Sequence, residues 1–154
     1  MAASKALDDL YKVDPPSAAK KLRELFYGAF YVTDHTTHFY ALGGPDFVVG
    51  PDAPAGERNI LGVVGKVGTE AGLRVINTRK QNHEVIKIIG GRAIHPVAGL
   101  PGGMSKAINE EERKFIEEVA RENVEFGLWS LQVFRDIVLH NQAYVDLIVG
   151  DVYT

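Results

Sequence analysis

Two stretches of this 154-residue chain carry side chains that could do chemistry. The first is Thr33-Asp34-His35-Thr36-Thr37-His38-Phe39-Tyr40. On a helix, at about 100° per residue, Asp34 and His38 stand one turn apart and about 40° from each other. Tyr27, Phe30 and Tyr31 fall within about 60° of Asp34, so the acid–imidazole pair is expected on a buried aromatic stripe. A buried carboxylate must be paired or protonated, because isolated burial of its charge is costly. The pair then reads either as a hydrogen bond that satisfies two core groups or as a proton relay through a carboxylate of shifted pKa. A metal site on His35 and His38 is the weaker reading, since two imidazoles at i,i+3 supply only half a coordination shell.

The second stretch is Gly90-Gly91-Arg92-Ala93-Ile94-His95-Pro96-Val97-Ala98-Gly99-Leu100-Pro101-Gly102-Gly103-Met104-Ser105-Lys106. Its density of glycine implies that backbone approaches something closely. A phosphate cradle of the Walker type needs Gly-Lys-Ser/Thr opening a helix directly after a strand. Here the order is Ser105-Lys106 and the preceding segment reads as helix, which leaves a nucleotide site the long shot and a packed crossing loop the plain alternative. His83-Glu84 lacks a second histidine four residues on, so it is no zincin motif, and His83 is expected on a solvated face. His140, late in the last helix, reads as a satisfied polar group. No Ser/His/Asp triad is legible by spacing.

The elements that must position these residues are helical. Met1 to Tyr11 carries Ala2, Ala3, Ala6, Leu7 and Leu10 at 3–4 spacing, with no cap residue ahead of it. Asp14-Pro15-Pro16-Ser17 breaks it, and Ser17 is a plausible cap for a second helix from about Ala18 to about Leu42. Lys20, Lys21 and Arg23 are expected on its outer face. Gly43-Gly44-Pro45 should stop that helix, with a loop following to Glu57. A third helical stretch, from Arg58 to about Ile89, contains Gly62, Gly65, Gly68 and Gly72. Each costs about 1 kcal/mol relative to alanine, so they mark places where the helix breaks or where another helix comes close. Beyond the loop from Gly90 to Lys106, Asn109 caps a long last helix with Glu110, Glu111 and Glu112 in its first turn. Ile116, Val119, Phe126, Val133, Ile137 and Tyr144 form one apolar seam along it. About 35 residues at about 1.5 Å each make a rod of roughly 50 Å, whereas a domain of this size is roughly 40 Å across. Either the rod is broken or the chain belongs to something larger, and the second is the expectation. The fold class is all-α, a single region over residues 1–154.

Composition bounds the function. With 17 Lys plus Arg against 20 Asp plus Glu, the net charge is -3, and no Lys/Arg run offers the clustered cations that nucleic acid needs. There is no cysteine, hence no disulfide framework and no thiolate metal site. No apolar stretch reaches the roughly 18 residues of a membrane span and no signal-peptide pattern opens the chain, which points to a cytoplasmic location. At 45 % apolar and 24 % charged residues, the chain has the makings of an ordinary globular core.

Taken together, a helix with D-H-x-x-H-F-Y-x-L and a following P-D-F, a long helical span, and then G-G-R-A-I-H-P-V-x-x-x-P-G-G-M-S-K resemble the large, catalytic subunit of nickel–iron hydrogenases. The likeness is to the cytoplasmic, multimeric kind, whose electrons go to pyridine nucleotide, deazaflavin or a heterodisulfide reductase, and it extends over essentially the whole chain. Either motif alone is moderately specific; both in this order are strong. Met1 to Asp9 resembles the stretch just after that family's N-terminal Cys-x-x-Cys-x-x-x-His motif, and the second cysteine pair would lie far beyond Thr154. The chain therefore reads as the central piece of such a subunit.

The resemblance implies a set of roles. Asp34 matches an acidic residue over the open side of the metals, which with an arginine from outside this chain polarises dihydrogen or takes its proton. His38 matches the motif's second histidine, which orients its neighbours. Arg92 and His95 approach the surroundings of the cluster on the glycine loop, and Gly90, Gly91, Gly102 and Gly103 let that loop pack near it. The implied cofactor is a nickel–iron centre with diatomic ligands, held by four cysteine thiolates that this chain lacks, so the chain alone is expected to bind none and to be inactive. Implied partners are an electron-transfer module and an iron–sulfur small subunit. A reading of another class is a cysteine-free structural or assembly protein on the same helical scaffold.

Overall fold

The computed structural model describes residues 1–150. It is mostly helical, with α1 Ala2–Tyr11, α2 Ser17–Thr37, a π-helical turn His38–Gly43, α3 Gly44–Val48, α4 Ile60–Val67 and α5 Thr69–Gly90. A short hairpin follows, β1 Gly99–Leu100 and β2 Gly103–Met104, then α6 Glu110–Phe134, a second π-helical turn Arg135–Leu139 and α7 Gln142–Val149. The chain forms two compact units. One comprises Met1–His35 with Asn77–Ala120, the other Thr36–Ile76 with the chain from Arg121 onward.

In the first unit α2 contributes Phe26 and Ala29, α5 Val85, Ile86 and Ile89, and α6 Ile116 and Val119 to one core, with Leu22, Leu25 and Met104 packed against it. The 3–4 spacing within each helix puts these side chains on single stripes, and burying each large one is worth roughly 1.5–3 kcal/mol. Of the seam expected along one last helix, Ile116, Val119 and Phe126 are buried and Val133 half-buried on α6, while the half-buried Ile137 and Tyr144 fall in the second π-helical turn and on α7.

α1 behaves differently from its pattern. Leu7 and Leu10 are exposed and the buried positions are Ser4 and Asp8. The reason is charge pairing. Arg23, expected on the outer face of α2, is instead buried and paired with Asp8. It shares the 3–4 phase of Phe26, Ala29, Thr33 and Thr36, all of which point inward. The hairpin completes this corner. Pro101 and Gly102 are its two turn residues, and Gly102 has φ +77°, the position a type II turn reserves for glycine.

In the second unit the expected stop at Gly43-Gly44-Pro45 does not occur. Thr37, Gly43 and Gly44 all keep right-handed helical dihedrals, and the Val49 N–H donates to the Pro45 carbonyl at 3.1 Å. Proline clashes inside a helix but fits in a first turn. The π-helical turn slips the ladder by one residue, so that Pro45 stands in the first turn of α3. The loop therefore begins near Val49 rather than at Gly43. The third helical stretch does break, at Gly68 with φ +94°, giving α4 and α5. Asn59 caps α4 by accepting from the Leu61 and Gly62 N–H groups.

The last helix opens as expected. Asn109 accepts from the Glu112 N–H at 2.9 Å while the Glu112 carboxylate accepts from the Asn109 N–H at 2.9 Å, a reciprocal capping box. The unbroken rod is not observed. Past the second π-helical turn, Asn141 accepts from the Ala143 N–H at 3.1 Å and starts α7, because an asparagine side chain competes for backbone donors. Since the last helix is interrupted, its length gives no argument for a larger parent. No helix among the described residues is long and apolar enough to cross a membrane.

Candidate functional site

The Asp34 face of α2 keeps the expected helical phase but not the expected burial. Asp34, His35 and His38 are exposed, as are Phe30 and Tyr31. Inward-pointing positions are taken by Phe26, Ala29 and Thr33, whose hydroxyl donates to the Ala29 carbonyl at 3.0 Å. The aromatic stripe lies on the surface as a ladder. Tyr27 and Tyr31 stack with centroids 6.0 Å apart, and the Tyr31 and His35 rings meet edge to face at 5.9 Å. The His35 Nδ1 lies 2.9 Å from the Tyr31 carbonyl oxygen. Asp34 and His38 thus need no mutual hydrogen bond to offset burial. Each is open to solvent within its own unit.

On the glycine loop Arg92 and His95 are likewise exposed. His95 has φ +53° and directly precedes Pro96, a position where proline sterics disfavour helical backbone. A non-glycine residue held there stores strain of order 1–3 kcal/mol. The loop around it is tightly tied. The Val97 and Ala98 N–H groups donate to the Gly90 carbonyl at 2.9 and 3.0 Å, and the Ser105 N–H to the Ala98 carbonyl at 2.8 Å. Lys106 Nζ donates to the Ile88 carbonyl and to the Glu112 carboxylate. A Cβ on Gly90 would stand 2.8 Å from Pro96 and 2.9 Å from the Phe26 ring. Packing inside the first unit therefore accounts for that glycine, and Ser105 and Lys106 are engaged within the loop.

Asp34, Arg92 and His95 belong to one unit and His38 to the other. Among the described residues no group of three or more His, Asp or Glu side chains could hold a metal ion.

Two polar clusters were not anticipated. Asp8 accepts from Arg23 and, at 2.7 Å, from the Gly102 N–H, while Arg23 also donates to the Leu100 and Gly103 carbonyls at 2.8 and 2.9 Å. The Arg23 guanidinium and then the Gly102 N–H hold the Asp8 carboxyl below its ordinary value. The signal was the phase of Arg23 on the apolar stripe of α2. In the second unit Tyr40 is buried, with its hydroxyl 2.8 Å from Ser130 Oγ and its ring stacked on Trp129 at 5.9 Å. Burial pushes its phenol up.

Known hydrogenases match this chain along nearly its whole length. The family model of nickel-dependent hydrogenases matches residues 1–55. An iron-sulfur subunit of the F420-non-reducing hydrogenase of Archaeoglobus profundus is 51% identical over 99% of this chain and 31% of its own length. The NAD-reducing hydrogenase HoxS subunit beta of Cupriavidus necator is 31% identical over 95% of this chain and 32% of its own length. A crystal structure of NAD+-reducing [NiFe]-hydrogenase in the H2-reduced state matches with a TM-score of 0.86 and 27% identity, over 94% of this chain and 32% of that one. The chain thus spans about a third of the length of these relatives.

Proposed function

We propose that this chain belongs to the nickel-dependent hydrogenases, whose family model matches residues 1–55, and that it is the central part of a large, catalytic subunit that oxidises dihydrogen reversibly to two protons and two electrons. The observation that carries this reading is the family match over residues 1–55, the stretch that holds Asp34 and His38, each of them exposed. The complete subunit houses a nickel–iron centre with diatomic ligands. It works in the cytoplasm with an electron-transfer module and passes electrons to an iron–sulfur small subunit.

The described side chains do not fit the centre itself. Soft thiolates suit such a site, this chain has no cysteine, and its described His, Asp and Glu residues form no group that could ligate it. Its contribution is to what surrounds the chemistry. Asp34 supplies an exposed carboxylate able to hold or accept a proton, His38 orients its neighbours, and Arg92 and His95 bring a cation and an imidazole on a strained, tightly tied loop. Fixed charges of this kind act most strongly once water is excluded.

In the complete hydrogenase, Asp34→Asn should lower dihydrogen turnover about 10²-fold, the order of one acid–base or electrostatic group, with nickel and iron content unchanged by elemental analysis. Wild-type turnover in that variant would remove Asp34 from the mechanism.

A further inference from the structure

His38 opens the π-helical turn His38–Gly43, and the geometry of that turn decides what lies beneath its imidazole. In a regular α-helix the residue five positions on stands about 140° round the axis. A π-helical turn closes over i to i+5 instead, so Gly43 comes under His38. A methyl placed on Gly43 would make ordinary van der Waals contact with the imidazole, 3.4 Å from His38 Cε1 and 3.8 Å from Nδ1, so the ring lies along the turn directly above Gly43.

A π-helical turn is uncommon and needs something to hold it. Pro45, which follows at the start of α3, can donate no N–H to an α-type ladder. Tyr40, the third residue of the turn, supplies the second restraint. Ser130 donates its hydroxyl proton to the Phe126 carbonyl at 2.9 Å, so in the 2.8 Å contact between Tyr40 and Ser130 the phenol must be the donor. The hydrogen bonds run one way, from Tyr40 Oη to Ser130 Oγ to a backbone carbonyl. That arrangement makes a latch and not a proton wire, because its far end takes up no proton. The Tyr40 ring packs against Phe126 and Trp129, 5.9 Å from each, and those two rings are 5.7 Å apart, with Arg74 5.0 Å above the Trp129 ring. Every one of these residues belongs to the second unit.

We infer that Tyr40, latched to Ser130, is a positioning residue that maintains the π-helical turn and thereby fixes the imidazole of His38 over Gly43. The inference rests on the reading of His38 as part of the hydrogenase machinery. Annealing the turn to an α-helix would change the phase across it by one residue, about 100°, and swing His38 off its present bearing.

The test uses the complete hydrogenase with Tyr40→Phe and Ser130→Ala, each alone and combined with His38→Gln. Tyr40→Phe should lower kcat about tenfold while leaving KM for dihydrogen unchanged, as misorientation does. Hydrogen exchange in peptides covering residues 36–48 should accelerate in Tyr40→Phe and Ser130→Ala. In the His38→Gln background the Tyr40 change should add less than about twofold, since residues acting through one another are not additive. Losses that multiply in the double variant, or unchanged exchange and kcat in Tyr40→Phe, would overturn the inference. A wild-type rate in His38→Gln would also sink it, while Asp34 stands or falls on its own variant.

Discussion

Asp8 and Arg23 tie α1, α2 and the hairpin turn together through one carboxylate and one guanidinium. Removing one partner from such a pair leaves the other charge uncompensated, a worse outcome than having neither. Because the Asp8 carboxyl sits below its ordinary 3.8 in the folded chain, the link is at full strength above that value. It is lost as pH falls through the depressed folded value. Amide protection at Leu100–Met104 should therefore be flat from neutral pH down to about 4 and decline below it. Asp8→Asn should remove that decline and leave protection about tenfold lower at neutral pH, read by hydrogen exchange at constant intrinsic rate. Arg23 was expected on the outer face, although its spacing from Phe26 puts it on the apolar stripe. Its partner was not legible, because the two are remote in sequence and only packing joins them.

At the scale of elements, the cap of α6 was readable, whereas Ser17, expected as a cap, is the first residue of α2, and the Asn59 and Asn141 caps were not expected. Asn109 is followed three residues later by Glu112, and the side chains satisfy each other's backbone N–H groups. Asn109→Ala should cost about 1 kcal/mol of local stability and speed amide exchange in the first turn of α6 about fivefold, leaving the middle of that helix unchanged. Breaks were harder to read. Gly43-Gly44-Pro45 looks like a stop and is traversed by a slipped helical ladder, whereas Gly68 does stop its helix through a left-sided φ. The same residue types give opposite outcomes because glycine permits both conformations at little cost. Neighbouring packing then selects one, here Phe47 of α3 meeting Tyr144 of α7 at 5.5 Å.

At the scale of the whole chain, the telling property is how much apolar surface remains outside. Leu61 is 81% exposed, Val149 74% and Ile94 70%, and Val124, Leu128 and Leu131 form an open stripe at i, i+4, i+7 on α6. Large exposed apolar patches on a soluble domain mark surfaces that something else covers. The isolated chain should therefore bind an apolar dye such as ANS strongly and show a broad, non-cooperative melt by circular dichroism. A sharp two-state transition without dye binding would favour the structural or assembly reading over that of a hydrogenase piece.

Sequence alone was enough for the helical class, the capped start of α6, most of the apolar seam of the last helix and the family likeness, since these rest on local spacing and on motifs read in order. The tertiary structure decided which face of each helix turns inward. Period tells which residues share a face, but burial depends on what arrives to cover it. On α2 the inward face took Arg23 and Phe26 and left Asp34 with its aromatic ladder open. On α1 a single buried carboxylate outweighed a row of alanines and leucines, because an ion pair must be enclosed with its partners while an apolar face can await another surface.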